Sequence, residues 1–285
     1  QNLKYIFTRF SANILMKIWK NTSTLEGYDD GLIFTEDKDQ ADIALLGSKP
    51  IILDEFQNLK GIFRAGIGRD NVPEEMATKM GILVKFPSRE TIDIIFNETA
   101  AFTCSLIFRM LYSNLGTIEP WSKNDRIQLK DKSLLVIGTG NIGRRVVDYM
   151  RPFMHVITFD ILENDISDLP TLISIADCIT LHIPKTDENN AFMDKDKLAM
   201  MKNDAVLINT ARGTIVDEDA LFAEISSNRL RAAFDVFWQE PYNGKLKEFH
   251  PDRFFMSPHV ASTCSGFLEG CRKGLDLLIR ELNHD

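Results

Sequence analysis

A glycine-rich turn between an apolar run and a helical pattern is the feature that most limits what this chain can fold into. The apolar run 133–137 leads directly into Gly138, Gly140 and Gly143, which have the spacing GxGxxG. In this setting the first glycine permits a tight turn, the second lets a pyrophosphate approach the backbone, and the third lets the helix pack on the strand. The helix N-terminus also offers N–H groups to phosphates. The motif therefore predicts a dinucleotide site, whereas a glycine turn without this context would indicate little.

The next apolar run, HVITF, ends at Asp160, which follows Gly143 by 17 residues. A carboxylate at this place can accept hydrogen bonds from the two adenosine ribose hydroxyls of a dinucleotide. The residues after it are Ile161, Leu162 and Glu163, so no arginine is present to neutralise a 2′-phosphate. We therefore expect NAD, not NADP, as the cofactor.

Apolar runs alternate with helical patterns along nearly the whole chain of 285 residues, from a predicted strand at 4–8 and a predicted helix at 12–20 onward. This alternation predicts an α/β fold with two Rossmann-like, doubly wound parallel-sheet domains. We expect a flavodoxin-like substrate domain from residues 1–92 and 264–285, and a dinucleotide-binding domain from residues 93–263. A long apolar helix predicted at 91–115 would join them.

Composition narrows the possible partners. The net charge is −8, which argues against nucleic acid, because proteins that bind the phosphate backbone usually carry a basic excess. No run approaches the ~18 apolar residues of a membrane span, and no signal peptide is evident. The four cysteines form no CxxC pair, so we expect reduced thiols, no metal site and a cytoplasmic location; they are Cys104, Cys178, Cys264 and Cys271.

Three later segments place chemically useful side chains after predicted strands, at the edge where open α/β sheets bind ligands. Arg212 follows the strand in LINTARG, Asp235 and Glu240 lie in FDVFWQEP, and His259 lies in SPHVAS. Each has an ordinary alternative: a surface arginine, a solvated loop carboxylate, a satisfied core histidine. Their joint placement favours a site.

The sequence resembles the D-isomer-specific 2-hydroxyacid dehydrogenase family, and within it the 3-phosphoglycerate dehydrogenases. The resemblance covers residues 59–281 and is carried by six segments in the family's order: LKGIFRAGIGRDNVP, VIGTGNIGRRV, LHIPKT, LINTARGTIVDEDAL, AFDVFWQEP and SPHVAS. It implies an NAD-dependent oxidoreductase that interconverts a D-2-hydroxy acid and its 2-keto acid.

The resemblance also implies a catalytic trio of Arg212, Glu240 and His259. A histidine is suited to exchange the hydroxyl proton near neutral pH, while the C2 hydride passes to or from the nicotinamide. A carboxylate beside the histidine would fix its tautomer, and an arginine would bind the substrate carboxylate and polarise the C2 oxygen.

Further contacts are carried over residue by residue. Backbone N–H groups of Ile67 and Gly68 would bind the substrate carboxylate, and Arg64 would reach a substrate phosphate or, alternatively, form a structural ion pair. His182 is expected to have a structural or cofactor-wall role. Besides the three glycines and Asp160, the predicted cofactor contacts are Asn141, Ile142, Ile183, Pro184, Thr210, Ala211, Arg212, Asp235, His259 and Ala261.

The favoured substrate pair is 3-phosphoglycerate and 3-phosphohydroxypyruvate, in serine biosynthesis, with Arg9 or Arg89 as further cations for the phosphate. A glyoxylate or hydroxypyruvate reductase is the alternative within the same class. A corepressor-like protein that binds NAD without turnover is the alternative in another class. We expect a homodimer formed through the cofactor domain, and no C-terminal regulatory domain.

Overall fold

The computed structural model describes residues 15–284, which divide into two compact units. Unit 1 extends to Ile95 and resumes at Cys264, whereas unit 2 is Phe96–Thr263. The predicted strand at 4–8 and Arg9 lie outside the described residues.

Unit 1 is built on a parallel five-stranded sheet with the order β2-β1-β3-β4-β5. This is the flavodoxin-like order, in which the sheet grows on both sides of the first strand. β3 and β4 are buried along their whole length, which explains why their sequences are apolar without alternation. The elements are β1 Lys17–Lys20, β2 Ile33–Phe34, β3 Ile43–Leu46, β4 Gly61–Arg64, α1 Glu74–Lys79 and β5 Leu83–Lys85.

A helix was predicted at 12–20. In the part of this range that the structure describes, the prediction is wrong, because Lys17–Lys20 is a strand. Ile18 is fully buried and pairs with Phe34 on one side and Ile43 on the other. The apolar spacing of this segment suits either element, and pairing with two distant strands decides the outcome.

The chain has two long helices, α2 Arg89–Leu111 and α7 Ser265–His284. It passes from unit 1 to unit 2 within α2, and it returns to unit 1 just before α7. α2 begins two residues before its predicted start, because Ser88 Oγ accepts a hydrogen bond from Thr91 N and caps it. Within residues 15–284, α2 is the helix long and apolar enough to cross a membrane by length and composition. Its residues Ala100 and Ile107 are fully buried in the core of unit 2, as in a core helix of a globular domain.

Unit 2 has a parallel six-stranded sheet with the order β13-β12-β11-β10-β8-β9 and a short hairpin, β6-β7. The order reverses beside β8, and such a switch point opens a ligand crevice at the carboxyl ends of β8 and β10. The two sheets confirm the predicted fold class. The elements are β6 Gly116–Thr117, β7 Ser122–Lys123, β8 Ser133–Ile137, α3 Gly143–Met150, β9 His155–Phe159, α4 Leu169–Ile175, β10 Cys178–Leu181, α5 Lys195–Met200, β11 Val206–Asn209, α6 Glu218–Ser226, β12 Arg231–Phe234 and β13 Phe254–Met256.

Candidate active site

The glycine turn connects β8 to α3, as the motif predicts. Gly138 has φ +90°, and a Cβ there would lie 2.7 Å from the carbonyl oxygen of His182. A Cβ on Gly143 would lie 1.9 Å from the Gly138 oxygen. Packing within the protein therefore requires both glycines.

Gly140 differs, because a Cβ at this position would meet no protein atom within 4 Å. Its side-chain space is open, and α3 begins just beyond it without a side-chain cap at Ile142. An open backbone surface beside an uncapped helix N-terminus suits a pyrophosphate. This part of unit 2 therefore fits the phosphates of a dinucleotide, with Asn141 and Ile142 at the start of the helix.

Asp160 lies directly after β9 and joins this strand to the glycine turn. Its Oδ2 accepts hydrogen bonds from Thr139 N (2.8 Å) and Thr139 Oγ1 (2.9 Å), and its Oδ1 accepts one from Leu162 N (3.1 Å). The Thr139 N–H holds the pKa of Asp160 below its usual value. The carboxylate is therefore ionised, and Oδ1 keeps acceptor capacity for a hydroxyl.

The segment after β10 forms the other side of the switch point. Ile183 lies close to the glycine turn, because a Cβ on Gly138 would be 3.0 Å from its Cγ2. The oxygen of Pro184 accepts a hydrogen bond from Asn189 Nδ2 (2.9 Å), which closes the loop. The segment thus supplies an apolar wall beside the glycines.

His182 bonds through Nε2 to Thr180 Oγ1 (3.0 Å). Desolvation of the partly buried ring lowers the pKa of His182 to about 3, so the ring is neutral near pH 7 and is not a proton-transfer group.

His259 and Glu240 form a close pair. His259 Nδ1 lies 2.9 and 3.0 Å from the two carboxylate oxygens of Glu240, and Phe237 N donates to Glu240 Oε1 (3.2 Å). Because a carboxylate only accepts, Nδ1 carries the proton, and Nε2 of the neutral ring has the lone pair. The imidazole is about one-third exposed. It can therefore take a proton from, or return one to, a bound hydroxyl group.

Asp235 holds the loop that carries His259. The carboxylate accepts hydrogen bonds from Ser257 Oγ (2.6 Å), Val260 N (2.9 Å) and Ala261 N (2.9 Å). These donors lie on both sides of His259, whose φ of +53° is in the left-handed region. Burial raises the pKa of Asp235 above its usual value, against the lowering effect of these donors. The resemblance implied a cofactor contact for Asp235 but gave no sign of this loop-anchoring role.

The turn that carries Arg212 is closed by a buried asparagine at the end of β11. Asn209 Nδ2 donates to Arg212 O (2.8 Å), and Ala211 N donates to Asn209 Oδ1 (3.0 Å). A Cβ on Gly213 would lie 2.1 Å from the carbonyl carbon of Phe237, so this turn touches the backbone of the loop that bears Glu240. The structure thus brings together the two segments that carry Arg212 and Glu240.

The predicted substrate residues Arg64, Ile67 and Gly68 lie in unit 1, at and after the end of β4. Arg64 is buried; its Nε donates to Asn71 Oδ1 (3.1 Å) and its Nη1 to the oxygen of Ala65. These bonds give Arg64 a structural role in its own loop, but neither of them is the ion pair of the structural alternative. Its contact with a substrate phosphate, like the N–H contacts of Ile67 and Gly68, stays a prediction.

No group of three or more His, Cys, Asp or Glu side chains within residues 15–284 is arranged to bind a metal. The four cysteines are free thiols. Burial raises the pKa of the Cys104 thiol to about 12, which makes it unreactive.

Comparison with known proteins places these features in one family. Residues 114–261 match the family model of the D-isomer specific 2-hydroxyacid dehydrogenase, NAD binding domain. A D-3-phosphoglycerate dehydrogenase of Methanocaldococcus jannaschii is 33% identical over 210 residues, covering 67% of this chain and 39% of that protein. A hydroxypyruvate reductase of Thermotoga maritima is 31% identical over 228 residues, covering 74% of each chain.

Among solved structures, a D-lactate dehydrogenase of Aquifex aeolicus complexed with NAD and lactic acid has a TM-score of 0.75. It is 22% identical, with 93% of this chain and 95% of that chain covered, and shows the shared fold. The chain spans about two-fifths of the phosphoglycerate dehydrogenase that it matches. The matched domain binds NAD, which confirms the predicted cofactor. This chain belongs to the D-isomer-specific 2-hydroxyacid dehydrogenase family.

Proposed function

We propose that this chain interconverts a D-2-hydroxy acid and its 2-keto acid, with His259, Glu240 and Arg212 as the catalytic residues. The contact of 2.9 Å between His259 Nδ1 and Glu240 is the observation that carries the proposal. An imidazole braced by a carboxylate after the last strand of a dinucleotide-binding sheet is arranged for proton transfer.

Each member of the trio has a distinct part. NADH, which the glycine turn and Asp160 would hold, would supply the hydride for the C2 carbon of the keto acid. His259 delivers a proton from Nε2 to the C2 oxygen, and the Glu240 carboxylate stabilises the imidazolium form before that transfer. In the oxidation direction the same nitrogen accepts the hydroxyl proton. Arg212 binds the substrate carboxylate through its guanidinium and polarises the C2 oxygen.

We propose 3-phosphoglycerate and 3-phosphohydroxypyruvate as the substrate pair, supported by the similarity to a D-3-phosphoglycerate dehydrogenase. The second candidate is hydroxypyruvate or glyoxylate. It is favoured by the internal hydrogen bonds of Arg64, since that guanidinium already serves its own loop. It is also favoured by the match to the hydroxypyruvate reductase, which covers the same share, 74%, of this chain and of that protein. Turnover of phosphohydroxypyruvate and hydroxypyruvate with NADH decides between them. A much higher kcat/KM for the unphosphorylated acid would contradict the phosphoglycerate assignment.

The assignment of the proton-transfer group is tested by His259→Ala. We expect turnover to fall by at least about 100-fold, in line with typical acid–base contributions. His155→Ala, at an exposed position at the start of β9, is the matched control and should keep wild-type turnover. Unchanged hydride transfer in His259→Ala would refute the assignment. Binding of NADH without turnover of any 2-keto acid by the wild type would favour the corepressor-like alternative.

We further propose that the chain forms a homodimer through unit 2. Residues 113–128, which include the β6-β7 hairpin, are all exposed, and their apolar side chains lack cover within the described chain. Ile118 and Trp121 are 72% and 76% exposed, and exposed apolar clusters of this kind mark interaction surfaces. Light scattering should give twice the chain mass, and Trp121→Glu should shift it toward the monomer. A monomeric wild type would exclude the dimer.

The unpaired thiols support a cytoplasmic location.

A further inference from the structure

Two buried hydroxyl groups connect α2 to the turn that carries Arg212. Thr103 Oγ1 and Thr210 Oγ1 lie 2.8 Å apart, and the two residues are separated by 107 positions in the sequence. Thr103 is fully buried and Thr210 is 8% exposed. Both belong to unit 2. A hydrogen bond sheltered from water in this way is electrostatically stronger than an exposed one.

The direction of this hydrogen bond follows from counting protons. Thr103 Oγ1 donates to the carbonyl oxygen of Thr99 (2.7 Å), which has no hydrogen to return. A hydroxyl has a single proton, so Thr103 can only accept from Thr210. The order of donation is therefore Thr210 to Thr103 to Thr99, and each bond in such a series strengthens the next.

The anchored residue lies at the start of the turn. Thr210 directly follows Asn209 in the sequence. The Asn209 side chain bonds to the backbone of Ala211 and Arg212, the next two residues of the turn. Asn209 closes the turn locally, whereas Thr210 attaches it to a different element, α2. Without the second attachment, the turn keeps its shape but can tilt relative to the sheet.

We propose that Thr103 is a positioning residue for Arg212, acting through the hydroxyl of Thr210. The proposal rests on the proposed function, because it takes Arg212 as the group that binds the substrate carboxylate. Misplacing a substrate-binding group by a fraction of an ångström weakens both substrate binding and turnover. The glycine turn and Asp160 are separate from this contact. Of the predicted cofactor contacts, Thr210, Ala211 and Arg212 lie in the tethered turn, so we expect cofactor binding to weaken less than substrate binding.

The test compares Thr103→Val, which keeps the shape of the side chain but removes the acceptor, with Thr103→Ser, which restores the hydroxyl. Thr78→Val is the matched control, because Thr78 makes the same bond to the carbonyl four residues earlier (2.8 Å to Glu74 O) in α1. For each variant, calorimetry measures binding of NADH and then of oxamate, an unreactive 2-keto acid analogue, to the NADH-loaded enzyme. Steady-state kinetics give kcat and KM for the 2-keto acid.

We expect Thr103→Val to lower kcat/KM by about 10- to 100-fold and to weaken oxamate binding more than NADH binding. Thr103→Ser should lie close to the wild type, and Thr78→Val should match it. In the double variant Thr103→Val/Thr210→Val the loss should be no larger than in the worse single variant, because both remove one interaction.

Three results would overturn the proposal. The first is wild-type kinetics in Thr103→Val, and the second is additive losses in the double variant. The third is a loss of NADH affinity equal to the loss of oxamate affinity, which would indicate general loosening of unit 2. The same assays with Arg212→Ala separate this failure from that of the proposed function. If the wild type turns over the acid and Arg212→Ala does not, the proposed function stands whatever Thr103→Val does. If the wild type has no turnover, both are refuted.

Discussion

The partly buried His182 makes stability depend on pH in a way that can be measured. Its pKa falls from 6.5 to about 3 because burial disfavours the charged ring. Below pH 6.5 the unfolded chain binds a proton at this residue and the folded chain does not. Acidification therefore stabilises the unfolded state, and the free energy of unfolding falls as the pH drops from 6.5 toward 3.

The size of this effect follows from the shift. Each pH unit below 6.5 costs about 1.4 kcal/mol until the folded-state pKa is reached. Between pH 7.5 and pH 5.0, His182 alone should lower the free energy of unfolding by about 2 kcal/mol. Titration of other groups adds to the total, so the contribution of His182 is obtained as a difference between proteins.

The assay is urea unfolding, followed by circular dichroism at both pH values, for the wild type and His182→Gln. Glutamine places an amide near the position of Nε2 and so keeps a partner for Thr180, but it does not titrate. We expect the variant to lose about 2 kcal/mol less than the wild type on acidification. His155→Gln, at an exposed position, should behave like the wild type. An equal loss in His182→Gln and the wild type would refute the assignment of a ring that stays neutral in the folded state.

Other changes test the cofactor site and the loop of His259. Gly140→Ala should leave the melting temperature unchanged and weaken NADH binding at least about tenfold in calorimetry, whereas Gly143→Ala should unfold unit 2, because its Cβ would overlap a carbonyl oxygen. Asp160→Ala should reduce the preference of kcat/KM for NADH over NADPH; an unchanged ratio would contradict its contact with the ribose. Asp235→Asn should lower kcat by about 10-fold or more, because its amide cannot accept all three bonds; wild-type kcat would argue against loop anchoring.

Local sequence determined much of unit 2. The glycine spacing, the apolar run before it and the carboxylate after the next run belong to one contiguous stretch, and their geometry depends on neighbours in the chain. Gly138 is required by its φ of +90°, and Gly143 is required by its contact with the Gly138 oxygen; the motif encodes both. The fold class, two doubly wound parallel sheets, also follows from the alternation of apolar runs and helical patterns.

Elements that depend on distant partners could not be obtained in this way. The segment 17–20 is a strand because of pairing with residues in β2 and β3. α2 ends at Leu111, four residues before its predicted end. Near this end, Ser113 Oγ and the guanidinium of Arg231 both donate hydrogen bonds to the carbonyl oxygen of Met110. Arg231 lies on a strand more than a hundred residues later, so no local pattern indicates this end.

The site shows the same division. Arg212, Glu240 and His259 were assigned through a family resemblance, and the contact of His259 with Glu240 agrees with it. The side chains that hold the site were not assigned, because Asn209 and Ser257 are polar residues at strand ends, where many such residues only face water. Their burial and their bonds to the turn and to Asp235 distinguish them.

The strained backbone of His259 ties these observations to function. A left-handed φ on a residue other than glycine costs about 1–3 kcal/mol and persists only where the surroundings enforce it. Three hydrogen bonds to the Asp235 carboxylate flank this residue, and bonds to a charged acceptor contribute about 1.5–3 kcal/mol each. These bonds hold the loop in this conformation against the strain, while burial raises the pKa of Asp235. Because a relaxed backbone would turn the imidazole elsewhere, the strain and the carboxylate beneath it serve to place Nδ1 against Glu240.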